Sequence, residues 1–365
     1  MRRSMIVIAV LLSAKSVAAQ DRPAGELRPR LQVLRDVPES QLFMVMNVVA
    51  QSLGVGCEYC HVRNTPDVKV SGGWEWDRDD LAAKNTGREM MRMVRELNTS
   101  RFGGRLVVTC VTCHRGDTRV ANLPPLPPVD PAPPAPALPS VADVIAKYTA
   151  AVGGGNLSTR FATLVMEGRE VRPESRYEPN VGRSGTFKIV FKGDRFRTDF
   201  AVPPQPATAQ VVTGARGWAL RGDAVLRALP ADAVGRVRRT ATRYSPLKIA
   251  DPVAALRVDR LERIGGRDAY VLSSDLEGGG KRSYFFDAFS GLLVREITTV
   301  PTALVPFQEQ MEYYDYRPVN GVMLPFMVRF SNDAAYETST RTFTSIREDV
   351  PVDDAIFAVP AEKPR

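Results

Sequence analysis

The chain has 365 residues, 44% hydrophobic and 25% charged, the make-up of a folded protein long enough for two domains. Its net charge of +8 is too modest to be a nucleic-acid footprint, and no nucleic-acid partner is expected. With only four Cys and two His, all of them within two short motifs, Cys- or His-based triads are excluded elsewhere in the chain.

The first stretch reads as an export signal, assigned to residues 1–19. Arg2 and Arg3 form a charged start, residues 5–12 are apolar, and Val17-Ala18-Ala19 supplies small residues before a cleavage point at Gln20. The apolar run is short for a permanent membrane span. Arg2, Arg3 and Lys15 leave with the signal, so the mature chain carries +5. A periplasmic location is expected, with a membrane-surface association or an uncleaved anchor as the variant reading.

Asp36-Val37-Pro38-Glu39 predicts a helix start, with an acid at the cap, Glu three residues on and Ser40 as a competing cap. The helix should run to about Leu53 and stop at Gly54. Leu42, Phe43, Met46, Val49, Ala50 and Leu53 share one face. Met44 lies about 200° round the helix from Met46, among polar neighbours.

That helix leads into Cys57-Glu58-Tyr59-Cys60-His61, and the pattern recurs as Cys110-Val111-Thr112-Cys113-His114. C-x-x-C-H is the attachment signature of c-type haem. Two thiols three positions apart add across the two vinyl groups of one porphyrin, and the following His supplies an axial nitrogen. Two covalent haem c groups are expected, on Cys57 and Cys60 with His61, and on Cys110 and Cys113 with His114. A four-thiolate zinc site or a pair of redox dithiols would also use C-x-x-C, but neither explains a His after both pairs.

No His remains for a sixth iron ligand, and Met thioether is the usual partner of a haem His in electron carriers. Met46 is the candidate for the first haem because of its face and its place before the first motif. A second helix is expected from Asp79 or Asp80 to about Asn98, its apolar side carrying Leu81, Ala83, Gly87, Met90, Met93, Val94 and Leu97. Met91 is assigned to a wetter side with Lys84, Arg88 and Arg95. Met90 and Met93 are then the candidates for the second haem, and helical spacing does not choose between them. Trp74 and Trp76 in the polar loop between are expected to pack.

The stretches Leu42-Phe43-Met44-Val45-Met46-Asn47, Leu53 to His61, Gly87 to Asn98 and Val108 to Gly116 together resemble the cytochrome c subunit of photosynthetic reaction centres, over about residues 30–120. The resemblance implies a helix, turn and C-x-x-C-H unit for each haem, with a helix Met as sixth ligand, and it selects Met46 for the first haem and Met90 for the second. That family typically carries four such units and this chain has two, so a complete four-haem wire is excluded and the resemblance does not imply photosynthesis.

Residues 121–139, with LPPLPPVDPAPPAPALP from residue 123, read as an extended Pro/Ala spacer that ends the first domain (20–120) and precedes a second (140–365). Ser140 opens a short helix ending at Gly153-Gly154-Gly155. Strands are predicted at 162–170, 185–192, 195–200, 210–213, 217–221, 269–274, 281–287, 292–299, 308–316, 323–330 and 339–347, with hairpin turns at 287–291 and 318–321. Residues 245–257 are expected to form a helical or irregular crossover. Tyr148 to Gly154, Gly217-Trp218 and Tyr314 to Pro325 weakly resemble the periplasmic lipoprotein-carrier fold, implying an antiparallel, half-barrel-like sheet and an apolar ligand.

The fold class read from sequence is therefore multidomain: a mainly α dihaem c-type module, a Pro-rich linker and a mainly antiparallel β (α+β) domain. The expected function is electron transfer between redox partner proteins, membrane-associated ones among them, with no catalytic residues. The competing readings are a haem peroxidase or reductase with an open iron position, and a lipid-binding redox carrier or sensor.

Overall fold

The computed structural model describes residues 22–64, 73–120, 137–154, 162–172, 183–204, 206–222, 224–229, 234, 253–276, 279–302, 304–332 and 338–358. The expected signal segment and most of the spacer lie outside them. None of the described helices is long and apolar enough to cross a membrane.

The N-terminal part is built on helices α1 (Ala24–Leu27), α2 (Glu39–Leu53), α3 (Ala82–Phe102) and α4 (Cys110–His114), with one small ladder of β1 (Val62–Arg63) and β2 (Trp74–Glu75). Helix α2 ends at Gly54, whose φ of 68° is the left-handed stop expected there. Its start differs from expectation. Pro38 holds the cap position without a side-chain bond, and the Asp36 carboxylate instead receives Arg95 Nη1 of α3 at 2.9 Å.

Helix α3 starts later than expected, because Asp79 and Asp80 are held outside it. Asp79 pairs with Lys84 at 2.9 Å and Arg88 at 2.7 Å, and Asp80 pairs with Arg78 at 2.6 Å. Met91 also corrects the reading: it is buried at 9% exposure in the module core, not on a wet side. Lys84, Met91, Val94 and Asn98 form the inward face of α3, and Lys84 reaches past the core to polar partners at its tip. Met44 likewise packs against this core, as does Met46, each as a partly buried side chain.

The C-terminal part is one antiparallel sheet of thirteen strands. These are β3 (Thr163–Arg172), β4 (Arg183–Lys192), β5 (Arg195–Ala201), β6 (Thr208–Thr213), β7 (Arg216–Arg221), β8 (Ala224–Ala228), β9 (Arg257–Ile264), β10 (Arg267–Leu276), β11 (Gly280–Asp287), β12 (Leu293–Val300), β13 (Phe307–Val319), β14 (Val322–Asn332) and β15 (Ser339–Glu348). The order is β8-β7-β6-β5-β4-β3-β15-β14-β13-β12-β11-β10-β9. Two meanders thus run from opposite edges and meet where β15 pairs with β3, Phe343 facing Gly168.

All eleven predicted strands are present, most of them extended and β12 shifted by one residue. β8 and β9 are added, at the two edges. In β9 the apolar residues Val258, Leu261 and Ile264 stand three apart among Arg, Asp and Glu, a helical rather than alternating spacing. An edge strand tolerates that because charges there discourage further pairing. The predicted crossover is a single 3-10 turn at Val253–Ala255 before β9 begins at Arg257, its earlier residues lying outside the described ones.

Both predicted hairpin turns form. Asn320 (φ 46°) and Gly321 (φ 81°) close the two-residue turn between β13 and β14, and the Asp287 carboxylate accepts from Ser290 N at 2.7 Å. Helix α5 (Val141–Ala151), capped by Ser140 and Asp143, lays Val144 and Tyr148 on one face of the sheet, with Tyr148 5.2 Å from Phe286. The terminal turn Asp354–Phe357 covers part of the other face.

The spacer gave no sign that the two parts touch. They do: Leu304, Val305 and Phe307, from the β12–β13 connection and the start of β13, share one core with Ala24, Leu34, Val37, Leu42, Val45 and Met91. Leu304 and Val305 are each 1% exposed.

Candidate haem-binding cavity

The two motifs open onto one cavity of 1020 Å³, lined by the Cys and His of both, by Met46 of α2 and by Met90 and Met93 of α3. All six residues of the α2 face singled out from the sequence line it, and Met44 does not. Helix α2 therefore has two apolar sides: Val45 and Val48 enter the protein core, and Phe43 and Met46 face the cavity. Helix α3 divides in the same way, Met91 and Val94 packing inward while Met90 and Met93 stand at 39% and 49% exposure.

The first motif begins in a 3-10 turn, Cys57–Tyr59, and His61 N donates to Cys57 O at 2.9 Å. The β1–β2 ladder then brings Trp76 edge-on to the His61 ring, 4.9 Å between centroids, and Trp74 stacks on Trp76 at 5.3 Å. Both tryptophans thus pack as expected, and Trp76 packs on a candidate ligand. His61 Nδ1 is buried and has no hydrogen-bond partner among the described residues. Burial, with the cations of Lys84 and Arg88 nearby, lowers the His61 pKa to about 4. The imidazole is therefore neutral at physiological pH, the form that donates a lone pair to iron.

The second motif is α4 itself. Thr109 N donates to Thr112 Oγ1 at 3.0 Å at its start, and Arg115 (φ 52°) ends it. Two contacts seat it. Asn98, 3% exposed at the end of α3, accepts from Val107 N and Val108 N at 3.0 Å each and donates to Val108 O at 2.7 Å. Gly116 N donates to Ser52 O of α2 at 2.8 Å. His114 Nδ1 lies 3.0 Å from Asp117 O, which fixes that ring and leaves Nε2 for a ligand.

No disulfide joins the four cysteines, and burial pushes the Cys60 and Cys110 thiols up. Among the described residues no three Cys, His, Asp or Glu side chains lie close enough to hold a metal ion, so the two thiol pairs do not form one zinc site. The residues fit a haem group instead. Phe43, Tyr59, Met90 and Met93 are large apolar side chains, more than a third exposed, that line the cavity and would be covered by flat apolar macrocycles. Sequence reading missed the supporting residues Ser52, Lys84, Asn98 and Asp117. The available signal was a polar side chain on the packed face of a helix, as at Ser52, Lys84 and Asn98.

Residues 6–124 match the family described as photosynthetic reaction centre cytochrome C subunit. The photosynthetic reaction center cytochrome c subunit of Thermochromatium tepidum is 33% identical over 98 residues, which are 26% of this chain and 22% of that subunit. The chain thus spans about a fifth of the length of that curated relative. Solved structures similar to the C-terminal part include a LolA superfamily protein from Nitrosomonas europaea (13% identity, TM-score 0.38, 60% of this chain and 98% of that one). A putative outer membrane lipoprotein-sorting protein domain from Vibrio parahaemolyticus is similar at 10% identity and TM-score 0.37, over 60% of this chain and 95% of that one. With both scores this low, the C-terminal fold rests on its own strand order. The N-terminal part is, by its motifs and its match over residues 6–124, similar to the photosynthetic reaction centre cytochrome C subunit and so cytochrome c-like.

Proposed function

We propose that this protein is a periplasmic dihaem c-type cytochrome that passes electrons between partner proteins. The observation that carries the reading is the single cavity lined by both C-x-x-C-H motifs and by the Met-bearing sides of α2 and α3. Cys57 and Cys60 would hold the first haem with His61 and Met46 as iron ligands. Cys110 and Cys113 would hold the second with His114 and Met90, Met93 being the alternative. Bound haem would supply one-electron storage, and a thioether ligand in addition to an imidazole would raise its potential.

The chain's own residues do the rest. The thiols would anchor the groups, the imidazoles and thioethers would bind iron, and the apolar walls would exclude water. Iron held by both a His and a Met would favour electron transfer over oxygen chemistry. Arg2, Arg3 and the apolar run after them support export, which would place haem attachment and the redox partners, membrane-associated ones included, in the periplasm. The β domain, through Leu304 and Phe307, holds the haem module at a fixed attitude for docking.

The test is production with a c-type maturation system, followed by a pyridine haemochrome assay and intact mass. Two haems per chain with low-spin, six-coordinate spectra, and a chain starting near Gln20, are expected. One haem or none, or high-spin ferric iron in the intact protein, would overturn the reading.

A further inference from the structure

We infer that Lys84, Arg88 and the backbone carbonyl of Asp117 set the two haem sites at different potentials, the first-motif site higher, so that electrons run from the second motif to the first. The inference rests on the dihaem reading above and concerns residues that do not touch iron. They act through the axial histidines and the local field.

The two histidines are held differently. With Nε2 on iron, His114 Nδ1–H donates to Asp117 O at 3.0 Å. That carbonyl is itself placed, because Asp117 N donates to His114 O at 3.0 Å and the Asp117 carboxylate accepts from Arg119 N at 2.8 Å. A hydrogen bond of this kind makes the imidazole more electron-rich, which stabilises ferric iron and lowers the potential. His61 Nδ1 has no such acceptor among the described residues, and its ring meets the edge of Trp76 instead.

The charges add in the same direction. Lys84 and Arg88 line the cavity, and both pair with the one carboxylate of Asp79, leaving an excess positive charge. Lys84 is 8% exposed, with its ammonium fixed by Trp76 O at 2.7 Å and Arg78 O at 2.5 Å. A buried cation disfavours the more positive oxidation state of a nearby iron and is weakly screened. Both effects raise the first site relative to the second.

The step is a single electron leaving ferrous iron at the second motif and arriving on ferric iron at the first. No bond forms or breaks and no proton moves. A donor protein re-reduces the second site and an acceptor protein oxidises the first.

Spectroelectrochemical titration of the haem-loaded full chain tests this. Two one-electron steps are expected, with at least tenfold preference for the first-motif haem at half reduction, about 59 mV for a one-electron couple. Repulsion between like haems also splits a titration, so the variants carry the assignment. Lys84→Gln and Arg88→Gln should each lower the upper step alone, and Asp117→Ala, which removes the side-chain contact that helps place the carbonyl, should raise the lower step alone. Arg88→Gln keeps the test open if Lys84→Gln does not fold. Coincident steps, or Lys84→Gln or Arg88→Gln moving the lower step, overturn the inference while leaving the dihaem reading intact. Fewer than two haems per chain would overturn that reading instead.

Discussion

Gly116, just past the second motif, donates its backbone N–H to the carbonyl of Ser52 in the last turn of α2, at 2.8 Å. The helix that carries Met46 therefore also seats the second motif. Ser52 is 3% exposed and returns its hydroxyl to Val48 O at 2.7 Å, so this end of α2 has no slack. The two helix, turn and motif units are interlocked, and each of the following outcomes depends on that arrangement or on the sheet behind it.

Met46→Ala and Met90→Ala should each convert one haem of the loaded protein from low spin to high spin and lower its midpoint potential, as loss of the thioether requires. Met93→Ala should leave both spectra unchanged. Visible and EPR spectra of the three variants decide whether Met90 or Met93 serves the second site.

Asn98→Ala removes a side chain that makes three hydrogen bonds to the segment leading into α4. At about 1 kcal/mol net for each bond, thermal unfolding should show a loss of ~3 kcal/mol. The second haem should be perturbed before the first.

Phe307→Ala opens a cavity in the core shared by the two parts, where Phe307 is 3% exposed. A loss of ~3–5 kcal/mol is expected in denaturant unfolding. If the contact with α2 also fixes the haem module against the sheet, limited proteolysis should then cleave the 121–139 spacer faster.

Glu170 is fully buried in β3 between Arg341 and Arg172, with Arg172 Nε at 2.5 Å. Burial alone pushes its carboxyl up, but the two guanidinium groups outweigh this and hold it below the usual carboxylate range. A depressed folded-state value means stability that is present above the unfolded value of about 4.3 and is lost as pH falls through the folded one. Acid titration of the melting temperature should show this loss below about pH 4. Glu170→Gln should remove its share of the slope and cost ~3 kcal/mol at neutral pH, because it breaks a buried ion pair on one side.

Much of the candidate site was legible because it is local. C-x-x-C-H needs no tertiary context, and the face Leu42, Phe43, Met46, Val49, Ala50 and Leu53 follows from helical geometry, so all six reach one cavity. Asn320-Gly321 was legible for the same reason, since a two-residue hairpin turn needs positive φ at both positions. Met91 was misread because its neighbours Lys84 and Arg88 look solvated in sequence. Asp79, at the foot of the helix, pairs with both and lets that side turn inward. Strand β9 was missed because an edge position permits charges that break alternation.

The sequence by itself determined the two C-x-x-C-H motifs, the Met-bearing helix faces and a β-rich second half, because each is written in spacing over a few turns or strands. Only the tertiary structure decided that both units share one cavity and that β15 joins β3 at the middle of the sheet. It also decided that the β12–β13 connection packs into the core of the N-terminal part. Those relationships join residues tens to hundreds of positions apart. They are set by which apolar surfaces find one another on folding, and no local pattern encodes that choice.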